Sequence, residues 1–294
     1  MFLSFVCKAR GLILLYNFGN YLFEYIWSYL TNSTVWEKIE NKFVVVTGAT
    51  QGIGKEICKQ LAFRKVKLLM IDNNKDKLES LKNELASQIE CEFYVIDFKI
   101  TAENYNVFSF LEDYDVAVLI NAATTADRGV ESFLNRRNDV IIQTNILSTV
   151  HITHRVAAQM TEKKLGYILF IGDSAFDIPV PYIAVYSATL AFLNQFASSL
   201  YYEINKYGIV VEYINYSPVL KAQLDTYNSI DTKKFVTSLF KTFGSNRRII
   251  PRLKHIFWQC IVDLIPRWII GRYKSNIHEK IELKREFLEQ KKKQ

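Results

Sequence analysis

The chain has 294 residues, 49% apolar and 23% charged, with only 11 Gly and 5 Pro. Such a composition excludes a disordered, collagen-like or low-complexity chain, and it suffices for one large core or, at about 150 residues per domain, two domains. The net charge of +7 is concentrated at one end. Residues 245–294 hold 13 Lys and Arg against 5 Asp and Glu, leaving 24 against 25 in residues 1–244. A basic tail on a near-neutral body argues against a nucleic-acid partner and for an anionic membrane surface.

The first segment is dense in Phe, Leu, Ile and Tyr, and from Gly11 to Leu30 its only charge is Glu24. That length just spans a bilayer, with Asn17 and Asn20 as polar interruptions. No small-residue cleavage site follows, so an uncleaved or interfacial membrane anchor over residues 1–36 is expected.

From Lys42 the pattern changes. Phe43–Thr47, Lys67–Ile71, Glu92–Ile96, Val116–Ile120, Tyr167–Ile171 and Ile209–Ile214 read as strands; Gly52–Arg64 and Lys75–Ile89 read as helices. Short, continuously apolar strands with helical crossovers predict an α/β doubly wound parallel sheet, covered on both faces, over residues 37–245.

The tail, residues 246–294, is basic and partly apolar. Ile256–Gly271 is broken by Asp263, Pro266 and Arg267, and Ser275–Gln290 reads as a charged amphipathic helix. Trp27, Trp36, Trp258 and Trp268 all fall in the two flanks, a distribution that suits a membrane boundary or, alternatively, flanks packed on the core. Cys7, Cys58, Cys91 and Cys260 form no CxxC pair, and His151 and His154 have no companion ligand, so no metal site is expected.

The first predicted strand runs into Gly48, Ala49, Thr50, Gln51, Gly52, Ile53 and Gly54 and then a helix. Glycines there allow a tight turn and a close approach to a pyrophosphate, whose charge sits on the helix N-terminus. Asp72 follows at the end of the second strand, the context that gives a glycine pattern its meaning. With Asp97, Asn121, Asn145 and the run Tyr186-Ser187-Ala188-Thr189, residues 40–225 resemble the short-chain dehydrogenase/reductase family. The resemblance implies a single Rossmann-type domain with Gly48, Thr50, Gln51, Gly52, Ile53, Gly54, Asp72, Asp97 and Asn121 around an NAD(P) cofactor.

The stretches Gly52–Lys55, Asp76–Leu78, Pro179–Pro181 and Leu264–Ile269 narrow the likeness to the endoplasmic-reticulum branch of very-long-chain 3-oxoacyl-CoA reductases and 17-beta-hydroxysteroid dehydrogenases. This implies an endoplasmic-reticulum membrane location, an acyl-CoA or steroid ligand, and a homodimer through the helices carrying Asn145 and Tyr186. The terminal Lys291-Lys292-Lys293-Gln294 fits a dilysine retrieval signal. Lys8 and Arg10 favour a cytosolic N-terminus; the sequons at Asn32 and Asn215 matter only on a luminal face.

Asp72 suits a ribose bearing free 2′- and 3′-hydroxyls and repels a 2′-phosphate, and Asn73 stands where NADPH users of this branch carry Arg. NAD(H) is therefore expected over NADP(H); the competing role for Asp72 is to cap the next helix.

The family's catalytic set is Asn, Ser, Tyr and Lys. Asn145 and Tyr186 match, but the Lys position holds Leu190 and the Ser position Asp173. The loop after the fourth strand (Asn121 to Thr124) and the turn Pro218-Val219, with Gln223 beyond it, also depart from the pattern. An ordinary Tyr has a pKa of about 10, an ionised Asp173 pushes it higher, and losing one oxyanion donor costs about 10²–10³ in rate. Rescue could come from a protonated Asp173, from Ser174, or from Lys163, Lys164 or Lys221. Three readings follow: a degenerate member with lost or strongly reduced activity that keeps nucleotide binding, an active 3-oxoacyl-CoA or ketosteroid reductase, or a structural membrane-surface protein with an empty cleft.

Overall fold

The computed structural model describes residues 35–101, 105–125, 130–134, 138–216, 232–244, 248–249 and 265–293, with parts of 11–27. The strands are β1 (Phe43–Thr47), β2 (Lys67–Asp72), β3 (Cys91–Val95), β4 (Val116–Asn121), β5 (Gly166–Gly172), β6 (Ile209–Asn215) and β7 (Arg248–Ile249). They form one seven-stranded parallel sheet in the order β3-β2-β1-β4-β5-β6-β7. The chain reverses direction of winding between β1 and β4, and an open parallel sheet binds ligands beyond the carboxyl ends of its strands at such a switch point.

The helices are α1 (Val35–Lys38), α2 (Gly52–Leu61), α3 (Lys75–Leu85), α4 (Phe98–Thr101), α5 (Asn138–Ile142), α6 (Ser148–Lys163), α7 (Ala184–Ile204), α8 (Thr232–Thr242) and α9 (Arg267–Lys293). Side chains alternate across the sheet as strand geometry requires. Val44, Val46, Leu68 and Met70 pack under α2, α3 and α8, whereas Val45, Leu69, Ile168 and Phe170 pack under α6 and α7. In α3 the apolar residues Leu78, Leu81 and Leu85 recur at helical spacing and are buried. Asn74 is its N-cap and accepts from the Lys77 N–H at 2.9 Å.

The two flanks differ. Trp36 belongs to the core: its ring lies 5.1 Å from Phe240 and 5.2 Å from Phe243, its Nε1–H donates to the Phe240 carbonyl, and the Arg64 guanidinium covers it at 4.4 Å. Trp27 and Trp268 are exposed, and Trp258 lies outside the described residues. Among the described residues, no helix is long and apolar enough to cross a membrane.

Candidate active site

The nucleotide end of the cleft is built by backbone. Gly48 leaves β1 at φ +66° and Gly52 opens α2 at φ +54°, conformations that a side chain resists. A Cβ on Gly48 would stand 2.8 Å from the Ala123 Cα, and one on Gly54 would collide with the Gly48 carbonyl. The β1 loop, the β4 loop and the start of α2 therefore meet at backbone contact. Gln51 sits at the N-cap of α2 without a capping side-chain bond, and no acidic residue occupies the first turn. The positive end of the helix dipole thus faces the cleft uncompensated by side chains.

Asp72 closes β2 and is buried. One carboxylate oxygen accepts from the Thr50 N–H at 3.0 Å, the other from the Asn73 N–H at 2.8 Å. It ties the glycine loop to the end of β2, and the capping of α3 falls to Asn74 rather than to Asp72.

A cleft of about 450 Å³ runs across the switch point. Gly48, Gln51, Gly52, Ile53 and Gly54 line one end, with Asp72, Asn73 and Asp97 beside them and Asp173 and Tyr186 at the other. Thr50 and Asn121 lie beneath the floor: Thr50 is buried, and the Asn121 amide donates to Thr153 Oγ1 at 3.2 Å. Thr47 Oγ1 accepts from both Ala122 and Ala123 N–H groups at 3.1 Å and holds the β4 loop in place.

Asn145 occupies a π-helical turn, Gln143–Leu147, between α5 and α6. Such turns recur at functional sites. Its side chain is fully buried and committed. Oδ1 accepts from the Thr125 N–H at 2.8 Å, and Nδ2 donates to the Thr125 carbonyl and to Thr189 Oγ1, both at 3.0 Å. The neighbouring Thr144 lines the cleft, and its buried Oγ1 has no partner among the described residues.

Tyr186 rises from the first turn of α7, and its hydroxyl donates to Asp173 Oδ2 at 2.8 Å. Asp173 follows the last residue of β5, and its other oxygen accepts from the Ala175 N–H at 2.6 Å. Burial pushes the Asp173 carboxyl above the usual range; the Ala175 N–H, the Tyr186 hydroxyl and the nearby Lys274 ammonium oppose that shift. Leu190, one turn beyond Tyr186, is fully buried among Ile178, Val180, Ile183 and Ile270. The position one turn beyond Tyr186 thus carries an apolar side chain and no charge.

Of the lysines considered from the sequence, Lys163 pairs with Asp115 at 2.7 Å and Lys164 closes α6 in a left-handed conformation. Lys221, Pro218, Val219 and Gln223 lie outside the described residues. Lys99 lines the cleft, and a second lysine that sequence reasoning missed, Lys274 of α9, is 3% exposed and acts on Asp173 through its charge. Burial drives its pKa down to about 8, with the charge of Asp173 pulling upward.

These residues fit the adenosine and pyrophosphate half of a dinucleotide: the glycine cradle, the open helix N-terminus and the strand-end carboxylate are in place. The orphaned Thr144 hydroxyl gives a ligand one further partner.

The profile described as short chain dehydrogenase matches residues 42–231. The chain belongs to that family, whose members bind NAD(P)(H). Very-long-chain 3-oxoacyl-CoA reductase of Mus musculus is 30% identical over 239 residues, covering 78% of this chain and 77% of that protein. Hydroxysteroid dehydrogenase-like protein 1 of Gallus gallus is 28% identical over 244 residues, covering 78% and 73%. A 7beta-hydroxysteroid dehydrogenase structure matches with a TM-score of 0.71 at 17% identity, over 82% of this chain and 99% of that one. A Sphingobium yanoikuyae short-chain dehydrogenase in complex with NADPH matches with a TM-score of 0.64 at 21% identity, over 76% and 92%.

Proposed function

We propose that this protein is a membrane-associated short-chain dehydrogenase that binds NAD(H) and performs oxidoreductase chemistry only weakly or not at all. The observation that carries the reading is the Tyr186 hydroxyl bonded to a carboxylate. Reduction of a ketone needs that hydroxyl to donate to the carbonyl oxygen, and here the proton points at Asp173. The carboxylate also disfavours an oxyanion beside it, where a serine hydroxyl would stabilise one. With Leu190 in place of the lysine, two of four catalytic roles are unfilled.

The dinucleotide, when bound, supplies or accepts hydride. Gly48, Gln51, Gly52 and Ile53 would take its pyrophosphate, and Asp72 its adenosine ribose. Asp72 and the uncharged Asn73 support NAD(H) over NADP(H). The ligand class suggested by the mouse relative's name is a long-chain 3-oxoacyl-CoA, with a ketosteroid as the alternative. An endoplasmic-reticulum membrane location draws support from the basic tail and the apolar side chains exposed on both flanks: Leu12, Leu15, Phe23 and Trp27 at one end, Trp268 and Ile269 at the other.

Calorimetric titration with NADH tests the reading: binding without accompanying ketone turnover supports it, and no binding removes it. A second reading, an active reductase, is favoured by the raised proton affinity of Asp173. A protonated Asp173 could donate to the phenol oxygen and leave the Tyr186 proton for substrate.

A further inference from the structure

Helix α9 does more than extend the tail. Ile270, Lys274, His278 and Glu282 recur every fourth residue, and all four are buried, so they form one face. That face lies along the segment after β5. Ile270 packs with Ile178, Val180 and Leu190. Arg267 pairs with Asp177 at 3.0 Å, a Cβ on Gly271 would meet Pro179, and His278 Nδ1 lies 2.6 Å from the Pro181 carbonyl. Further along, Glu282 accepts from the Ser132 N–H at 2.6 Å. The helix is thereby fixed at several points on the segment that begins at Asp173. Between two of those points it buries an ammonium.

We propose that Lys274 is the counter-ion of this site: brought in by α9, it holds Asp173 as the carboxylate that captures the Tyr186 hydroxyl proton. Lys274 is thus a positioning residue acting on Tyr186 through Asp173. The charge that the family places one turn after the tyrosine arrives instead from the C-terminal helix, and it acts on the carboxylate rather than on a ribose. The inference concerns the protein without ligand and stands whether or not NADH binds.

Asp173 meets the Ala175 N–H and the hydroxyl of Tyr186 from α7, while its carbonyl accepts from the Tyr213 hydroxyl of β6. The charge of Asp173 acts on Lys274, and the charge of Lys274 acts on His278, one turn further along the same helix. Glu279 and Glu282 act on Tyr182 at the far end of the contact. Asp173 and Lys274 each shift the other, and such coupling is reciprocal.

The test is a carboxyl carbon NMR titration of Asp173 in the full chain, with Asp173→Asn identifying the signal. Lys274→Met keeps the length of the side chain and removes the charge. The Asp173 midpoint should move up by about one pH unit, a tenfold gain in proton affinity, whereas Lys274→Arg should leave it close to wild type. An unchanged midpoint in a folded Lys274→Met protein overturns the proposal. If Lys274→Met does not fold, the reciprocal measurement decides. In Asp173→Asn the lysine side-chain titration should fall below its wild-type midpoint, and a midpoint that stays put or rises rejects the pairing.

Discussion

The Tyr186 hydroxyl donates to Asp173 Oδ2 at 2.8 Å, so the residue expected to protonate a substrate is bonded to a carboxylate at the position where the family resemblance expects a serine. Asp173→Ser removes the carboxylate and offers a hydroxyl in its place. NADH-dependent ketone reduction should rise about tenfold or more, a part of the factor that one oxyanion donor is worth. Steady-state assays of both proteins at equal concentration check this. Equal rates would mean that the carboxylate is not the obstacle.

Restoring the lysine alone should fail. Leu190 is fully buried among Ile178, Val180, Ile183 and Ile270, and Leu190→Lys places an ammonium in that cluster. Burial of an unpaired charge costs several kcal/mol, so thermal unfolding should show a clear loss of Tm. An unchanged Tm would show that the cluster yields to the charge.

Cofactor preference rests on the end of β2. Asn73 lines the cleft beside Asp72. Asn73→Arg should raise NADPH affinity about tenfold through a charge on the 2′-phosphate and leave NADH binding nearly as it was. Fluorescence titration with both nucleotides reads the ratio, and wild-type protein that binds NADPH more tightly than NADH would contradict the role given to Asp72.

Two buried bases on α9 give the fold a pH signature. The Lys274 pKa falls from 10.5 to about 8 on folding, so between those values the unfolded chain binds the extra proton. Stability therefore rises with pH across that window, by on the order of 3 kcal/mol in all. His278 is also pushed below its ordinary value by burial, so stability is lost as pH falls below about 6.5. Denaturant unfolding at a series of pH values should show both slopes, with Lys274→Met abolishing the alkaline one and keeping the acid one.

Much of this was legible in the residues because it is local. The glycine loop, Asp72 at a strand end, and the substitutions at 173 and 190 are fixed by spacing along one chain segment, and the structure brings the loop, Asp72, Asp173 and Tyr186 to one cleft. What was not legible depends on distant partners. Asn145 has the expected place, yet the π turn aims its amide at Thr125 and Thr189, which no motif encodes. Lys274 lies just before the stretch Ser275–Gln290 that reads as a charged amphipathic helix; the structure begins that helix at Arg267, and only its docking shows which of its charges goes inward. Trp36 looked like part of an apolar flank, but composition does not say whether an apolar ring meets lipid or core; Phe240 and Phe243 decide it. Strand β7 is two residues long, too short for any periodicity to reveal.

The most direct test is NADH-dependent reduction of a long-chain 3-oxoacyl-CoA by the purified full chain, run beside Tyr186→Phe. The account predicts slow or absent turnover that the substitution changes by less than about threefold. Fast turnover by the native protein, abolished by Tyr186→Phe, would contradict it.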